Sequence, residues 1–388
     1  MFTEFPIINV KIRVFLPQFL FISIFSFNFS SCGSDNSEIP TIIIDLAKDT
    51  QLKLSEFLFE PVILNLPDST IFGEPEHIEF SDGYYFIHDP NQTKTLTVFD
   101  ESGNFVSQLT CKGSGPEEIA SLDLFAYNPF RKEVVIHERG KGFTIFNFPD
   151  FQFKNAIRGF PYLMSLQAID SNAYAIVEEA DEDKNGAVII IDTNFKQSKQ
   201  LKLELPIMSA ELSYPNTSSK VSSELNYILP NFDNTFYSIS SDGFKALWKV
   251  NFGNEGVPQN LWKVYNDDNE IEEEITQKNK AAYLHHIAWK NDTLFAWFKY
   301  RSLEDIYFAM IHPASQQAKV YSTLQLMRDD IGFPFPVGVK ENYFIGIPED
   351  LELLYKNLPD ESKKSSVGSK IELAIQQNKT VLLLYALK

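Results

Sequence analysis

An all-β chain, folded as a six-bladed β-propeller of four-stranded blades, is predicted from three observations. Short runs of branched and aromatic residues alternate with turn residues. One hairpin returns at intervals of roughly 40–50 residues, and lone strands stand at both ends of the repeats. The runs include Tyr84-Tyr85-Phe86-Ile87-His88, Thr95-Leu96-Thr97-Val98-Phe99, Glu133-Val134-Val135-Ile136-His137 and Phe143-Thr144-Ile145-Phe146. They continue with Ala173-Tyr174-Ala175-Ile176-Val177, Ala187-Val188-Ile189-Ile190-Ile191 and Thr293-Leu294-Phe295-Ala296-Trp297-Phe298. Each is bounded by Asp, Asn, Gly, Ser or Pro, and long helical periodicity is scarce.

Ahead of the repeats, Lys11 and Arg13 precede an apolar run from Val14 to Phe29, closed by Phe29-Ser30-Ser31-Cys32-Gly33. A basic segment, a short apolar core and a small-residue cut site form an export signal. Pro17, Gln18 and Asn28 break the apolar run, which falls short of the roughly 20 residues a membrane span needs. A cysteine at the cut points to lipidation at Cys32. Residues 1–31 are thus expected to be a lipoprotein signal, 32–57 a tether and linker, and 58–388 the propeller. An ordinary cleaved signal and an uncleaved anchor are the alternatives.

The hairpin "strand, Asp/Asn/Gly turn, strand" occurs at Phe99-Asp100-Glu101-Ser102-Gly103-Asn104-Phe105 and returns with Phe151, Phe195 and Phe244 as its second aromatic. Those aromatics lie 46, 44 and 49 residues apart (105, 151, 195, 244), the period of a propeller blade. A later copy at Ile311-His312-Pro313-Ala314-Ser315 is displaced by an acidic insertion at 267–274. Glu60 to Leu64 and Thr380 to Tyr385 read as lone strands that pair to close the ring and cover its edges. Asp350 to Tyr355 and Ser369 to Gln377 read as a helical decoration near the C-terminus.

The chain carries 52 acidic against 34 basic residues, a formal charge of −18. Such a surface repels phosphate backbones and anionic headgroups, so neither nucleic-acid binding nor electrostatic membrane docking is expected, and the lipid anchor is the only expected membrane contact. Of the two cysteines, Cys32 and Cys111, the second is left alone once the first is acylated. It ends an apolar strand and reads as a small buried hydrophobe.

Phe99-Asp100-Glu101-Ser102-Gly103-Asn104-Phe105 followed by Lys112-Gly113-Ser114-Gly115-Pro116-Glu117-Glu118-Ile119 resembles the NHL-like six-bladed β-propeller lipoproteins of Bacteroidetes. Glu117 stands where that family has a third glycine, and Ile119 where it has an aromatic residue. The resemblance implies the propeller fold and an envelope location, lipid-anchored in the outer membrane with the face unspecified. It implies no activity.

Candidate sites follow from residue type. The Gly113–Glu118 loop is expected to be an interblade crossover whose glycines supply positive φ, with Glu117 and Glu118 as candidate ligand-binding residues at the axial mouth. His88 and His137 end equivalent strands, and each precedes a carboxylate that could orient its ring; they are the other candidate lining. Asp181, Asp183 and Asn185 have the spacing of a calcium loop. The strand-like Ala187–Ile191 would hold Asp192 about 20 Å from Gly186, so a helix–loop–helix site is rejected. A smaller calcium site and a plain acidic hairpin tip both remain as readings. No catalytic signature is present. The expected role is a non-catalytic binding or scaffolding protein for a peptide, glycan or envelope partner. The alternatives are a metal-dependent lyase or hydrolase on the propeller axis, and a subunit of an outer-membrane assembly.

Overall fold

The structure is a computed structural model. It describes residues 39–388 apart from 47–53, 68–72, 74, 114, 116, 161, 179–186, 203–217, 221–225, 230–233, 258–269, 271, 272, 274–276, 279, 301–305 and 323–335. Most of the acidic insertion at 267–274 therefore lies outside the described residues.

The fold is all-β and β-propeller-like, built from four-stranded antiparallel units. Strands β1 (Thr41–Ile43) and β2 (Val62–Asn65) come first. The first unit is β3 (His77–Ser81), β4 (Tyr84–Asp89), β5 (Thr95–Asp100) and β6 (Phe105–Thr110). The second is β7 (Leu124–Asn128), β8 (Glu133–Glu138), β9 (Gly142–Asn147) and β10 (Gln152–Arg158). The third is β11 (Leu163–Ala168), β12 (Ala173–Glu178), β13 (Ala187–Asp192) and β14 (Gln197–Lys202). The fourth is β15 (Ser218–Lys220), β16 (Asn226–Ile228), β17 (Thr235–Ser240) and β18 (Gly243–Asn251). The fifth is β19 (Ala281–Lys290), β20 (Thr293–Tyr300), β21 (Ile306–His312) and β22 (Gln317–Ser322). The last unit has β23 (Pro336–Lys340), β24 (Tyr343–Gly346) and β25 (Val381–Ala386), with β2 paired antiparallel on β25 as its fourth strand.

Within each of the first five units the strands run in sequence order, each hydrogen-bonded to the next. In the first three units the second and third strands are buried over nearly their whole length. In β8 all of Glu133–Glu138 is buried, and in β5 all but the last residue. Both their faces are covered by neighbouring units, so they lack the alternation of a half-buried strand. Strand β14, the fourth of its unit, is by contrast exposed and polar, Gln-Ser-Lys-Gln-Leu-Lys.

Apolar clusters lie between consecutive units. Phe86 and Val98 of the first meet Phe125, Val134 and Phe146 of the second. Val135 and Phe143 of the second meet Tyr174, Ile189 and Phe195 of the third. Trp248 and Val250 of the fourth meet Leu294, Ala309 and Val320 of the fifth. Phe295 and Trp297 of the fifth meet Phe344 and Leu383 of the last. Each such fully buried side chain contributes roughly 1.5–3 kcal/mol.

A parallel bridge of two residue pairs, Gly338↔Ile78 and Val339↔Glu79, joins the last unit to the first. A Cβ at Gly338 would sit 2.1 Å from the Ile78 carbonyl oxygen, so only glycine allows this approach. Beside it, the Lys340 ammonium lies 3.9 Å from the Phe80 ring centre and 3.3 Å from the Tyr85 hydroxyl. The cation thereby clamps the two units.

Two features differ from the sequence reading. Thr41–Ile43, inside the stretch expected to be linker, is a strand paired in parallel with β18. It buries Ile42, Ile44 and Leu46 between the fourth and fifth units. The hairpin aromatics are also not equivalent. Phe195 occupies a left-handed turn position (φ 60°), the place of Gly103 (φ 84°), and is buried at 5% exposure. Phe105 lies within a strand and is 46% exposed. In two of the turns an opening aspartate repeats the same geometry: Asp100 accepts from the Ser102 and Asn104 amides, and Asp192 from those of Asn194 and Lys196. The Asn104 side-chain amide, at 2.9 Å, and those backbone donors hold Asp100 below the usual aspartate range, and the backbone donors led by Lys196 do so for Asp192.

Three helices follow β24: α1 (Leu351–Asn357), α2 (Asp360–Lys363) and α3 (Ser366–Gln376). Asp350 caps α1 by accepting from the Leu353 amide, and Ser365 caps α3 by accepting from Val367 and Gly368. Helix α3 turns Ile371 and Ala374 inward, one turn apart.

Candidate functional site

The crossover end of the first three units gathers most of the candidate residues. His88 and His137 close the second strands of the first two units, each facing the start of an inner strand (His77↔His88, Leu124↔His137). Both are buried, at 2% and 1% exposure. Their backbone carbonyls accept from the Glu76 and Asp123 amides respectively. The His88 ring bonds through Nε2 to the Leu122 carbonyl at 2.8 Å and lies 5.3 Å from the Phe125 ring. The carbonyl needs a donor, so Nε2 carries the proton. Burial pushes the His88 pKa down to about 4, although the Leu122 bond and Asp123 and Asp89 oppose the shift.

The carboxylates after these histidines do not orient the rings. Asp89 accepts from the Gly73, Gln92 and Thr93 amides and the Thr93 hydroxyl, at 2.7–3.3 Å. Burial works against its ionisation, but these donors outweigh it and hold the pKa below the ordinary value. Glu138, 1% exposed, accepts from the Ala120 amide (2.8 Å), Lys141 Nζ (2.8 Å) and the Thr144 hydroxyl (3.1 Å). Gly73 and Ala120 each lie four residues before an inner strand (73 to 77, 120 to 124). The pair is therefore a repeated strut that ties each incoming crossover to the middle of its unit.

Glu118 closes a small crossover loop. Its Oε2 accepts from the Gly115 amide at 3.1 Å, and the Lys112 and Gly113 amides both point to the Ile119 carbonyl. Neither Gly113 nor Gly115 has a positive φ. A Cβ at either would lie 2.6 or 2.8 Å from the Glu118 carboxylate, so a larger residue there would push that side chain off the loop. Glu117 is exposed on the same loop. Cys111 is partly buried, and that burial raises its thiol pKa.

A second polar cluster sits at the opposite strand ends. Glu133, 2% exposed, is met by Arg131 Nε at 2.7 Å, Lys154 Nζ at 2.7 Å and the Tyr174 hydroxyl at 2.6 Å. Burial opposes its charge, yet the three donors win and the carboxyl is held below its ordinary value. Tyr174 comes from the third unit, so the cluster bolts the second unit to the third.

The residues that face solvent at the crossover end were missed from sequence. Glu76 and Asp123 each stand one position before an inner strand, and Tyr162 does so in the third unit. Glu76 accepts from the Asn91 amide group at 2.5 Å. Partial burial pushes its carboxyl up; the Asn91 bond opposes this, and the charges of Asp89 and Asp123 add to it. Asp123 accepts from the Ser121 hydroxyl at 2.7 Å and the Arg139 amide at 2.6 Å. The Arg139 guanidinium lies 4.7 Å from the ring centre of Tyr162, which is 51% exposed. A line of polar and aromatic groups thus crosses three units. The signal in the sequence was position relative to the strand, not residue type.

Cys32, Asp181, Asp183 and Asn185 lie outside the described residues. Among the described residues, no three His, Cys, Asp or Glu side chains are grouped to hold a metal ion. No described helix is long and apolar enough to cross a membrane.

Comparison with known proteins gives a family and a fold. A crystal structure of a Bacteroides fragilis NCTC 9343 protein described as exported is 18% identical, with 90% of this chain and 99% of that one covered and a TM-score of 0.70. A DUF4221 family member from Bacteroides vulgatus ATCC 8482 is 9% identical over 85% and 98% of the two chains, with a TM-score of 0.47. The RRP9 WD40 repeats are 10% identical over 85% and 100%, with a TM-score of 0.46. No curated protein matches the sequence. Residues 40–383 match one family over nearly the whole described body, and the chain belongs to that family, Domain of unknown function (DUF4934).

Proposed function

We propose that the protein is an exported, lipid-anchored six-bladed propeller that binds a peptide, glycan or envelope protein at its crossover end without transforming it. The observation that carries this reading is the division of labour among carboxylates. Asp89, Glu133 and Glu138 are buried and saturated by structural donors, while Glu76, Asn91, Arg139 and Tyr162 face solvent across three units. Exposed groups of both charges beside an aromatic ring suit a polar ligand with its own mixture of donors and acceptors.

The closed ring is supported by the packing of consecutive units and by the β23–β3 bridge. The pairing of β2 with β25 brings strands from the two ends of the repeat region into one unit. An envelope location is supported by the export signal read in residues 1–31 and by the exported Bacteroides fragilis protein that shares the fold. Lipidation of Cys32 would place the propeller at the outer membrane.

Photo-crosslinking in cells tests the binding surface. A benzophenone side chain at Tyr162 is expected to capture a discrete partner that the same group at Ser102, in the outer hairpin of the first unit, does not. Arg139→Ala is expected to weaken capture about tenfold, a typical loss for one charged hydrogen-bonding contact. Equal labelling at both positions, insensitive to Arg139→Ala, would remove the crossover end as the binding surface.

A further inference from the structure

The solvent-facing groups at the crossover end of the first three units are of one chemical kind. Glu76 and Asn91 are exposed and joined to each other, Glu76 Oε1 accepting from Asn91 Nδ2 at 2.5 Å. Asp123, half-buried, takes the Ser121 hydroxyl and the Arg139 amide on one oxygen, Oδ2. Carboxylates and carboxamides are planar groups with two polar atoms side by side. Such a pair of atoms matches two adjacent hydroxyls, each of which can donate and accept.

Tyr162 adds a ring to this polar set. It is 51% exposed, and the Arg139 guanidinium sits over it, 4.7 Å from the ring centre. The Arg139 amide is tied in turn to Asp123, so ring, guanidinium and carboxylate form one connected group. Among the described residues, Tyr162 is the only large hydrophobic side chain left exposed at this end of the three units. Phe105 and Phe130, 46% and 60% exposed, lie at the opposite strand ends.

We infer that the crossover end binds a neutral oligosaccharide, with one sugar ring stacked on Tyr162 and hydroxyls of the chain hydrogen-bonded by Asp123, Glu76 and Asn91. This rests on the crossover-end reading and narrows it to one ligand class. A sugar presents polarised C–H groups to the negative face of an aromatic ring, while its hydroxyls meet the planar side chains beside it. A peptide or protein fits this end less well. An extended peptide takes a free strand edge or apolar pockets, and the centre of a protein interface is apolar. Here the strands terminate and one ring stands alone. The charge of the sugar follows from the same groups. A cationic sugar would seek the face of Tyr162, where Arg139 already sits. An anionic one would meet Glu76 and Asp123 on a chain of formal charge −18.

The full-length protein, in a polyoxyethylene detergent that carries no sugar, is titrated calorimetrically with neutral hexamers: maltohexaose, cellohexaose, mannohexaose and N-acetylchitohexaose. Hexagalacturonate and hexameric chitosan are the anionic and cationic counterparts. At least one neutral hexamer is expected to bind with a Kd below about 1 mM, unchanged by raising salt to about 0.5 M. Tyr162→Ala and Glu76→Ala should each weaken it about tenfold or more, and Tyr162→Phe, which keeps the ring, by no more than about threefold. Phe130→Ala, at the opposite strand ends, should leave it unchanged, and melting temperatures check that each variant folds. If no neutral hexamer binds, or only a charged one does, the glycan is overturned. Capture of a discrete protein by the crosslinker at Tyr162 would then leave the crossover end standing as a protein-binding surface; without that capture both readings fall. A neutral hexamer whose binding ignores Tyr162→Ala and Glu76→Ala sits elsewhere on the molecule and overturns the site.

Discussion

Glu133 shows how one side chain can join two units. Its carboxylate is buried and answers Arg131, Lys154 and Tyr174. In Glu133→Ala the two cations, which are 33% and 39% exposed, can turn to water. The Tyr174 hydroxyl, on a ring 0% exposed, loses its acceptor. The expected loss is about 2–4 kcal/mol, seen as a lower denaturation midpoint, with Glu133→Gln losing less because it keeps an acceptor. Equal midpoints for wild type and Glu133→Ala would refute the cluster as a bolt. His88 makes a prediction in pH. Its folded pKa of about 4 lies below the unfolded value near 6.5, so the unfolded chain binds more protons between those values. The stability that depends on neutral His88 is complete above pH 6.5 and is lost as pH falls toward 4, by up to about 3 kcal/mol. Glu76 works in the opposite sense, since its raised carboxyl pKa makes the folded state bind protons more readily. Comparing denaturation of wild type and His88→Gln from pH 7.5 to 4.5 isolates the histidine. The wild-type slope should be the steeper, and parallel curves would count against the assignment.

Among the elements, β1 is the one whose role emerged only from the fold. Strand β18 ends in the apolar sequence Ala-Leu-Trp-Lys-Val, unlike the polar outer strand β14. Trp248 stacks on Phe236 with 3.7 Å between ring centres. An outer strand of that composition is an exposed edge until another strand covers it, and Ile42, at 0% exposure, helps to do so. Ile42→Ser is expected to lose about 2–4 kcal/mol through the cavity and the buried hydroxyl. It should also speed amide exchange in β18 while leaving β8 and β9 protected. Unchanged exchange in β18 would mean the cover is not what holds it. The same contrast explains what the sequence revealed. Every run singled out there, from Tyr84–His88 to Thr293–Phe298, is a second or third strand, buried on both faces and therefore dense in apolar residues. First and fourth strands such as β3 and β14 mix polar and apolar residues, so their bounds and the residues just before them stayed hidden. Glu76, Asp123 and Tyr162 were missed for that reason. His88 and His137 were found because they end conspicuous strands, and their burial follows from the same fact.

At the scale of the whole molecule, the two ends of the repeat region meet in one sheet, with Val62 opposite Leu384 and Asn65 opposite Val381. Facing residues of an antiparallel pair lie within the Cα separation that a disulfide needs. Val62→Cys/Leu384→Cys, in a Cys111→Ser background, should therefore oxidise without displacing the backbone. Val62 is 54% exposed and Leu384 7%, so the substitutions remove little buried volume from one partner and more from the other. Comparing oxidised and reduced forms of the same variant cancels that loss. The bridge would close a loop of more than 300 residues (62 to 384) and so stabilise by at most about 5 kcal/mol, chiefly by restricting the unfolded chain. A melting temperature several degrees higher for the oxidised form is the expected outcome. Thiols that stay reduced under mild oxidant would show that the ends do not meet as described. A bridge that forms but lowers the melting temperature would show that they meet in a different register. A rise would mean that the chain's most distant strands hold each other in place, as a ring closed by its own termini requires.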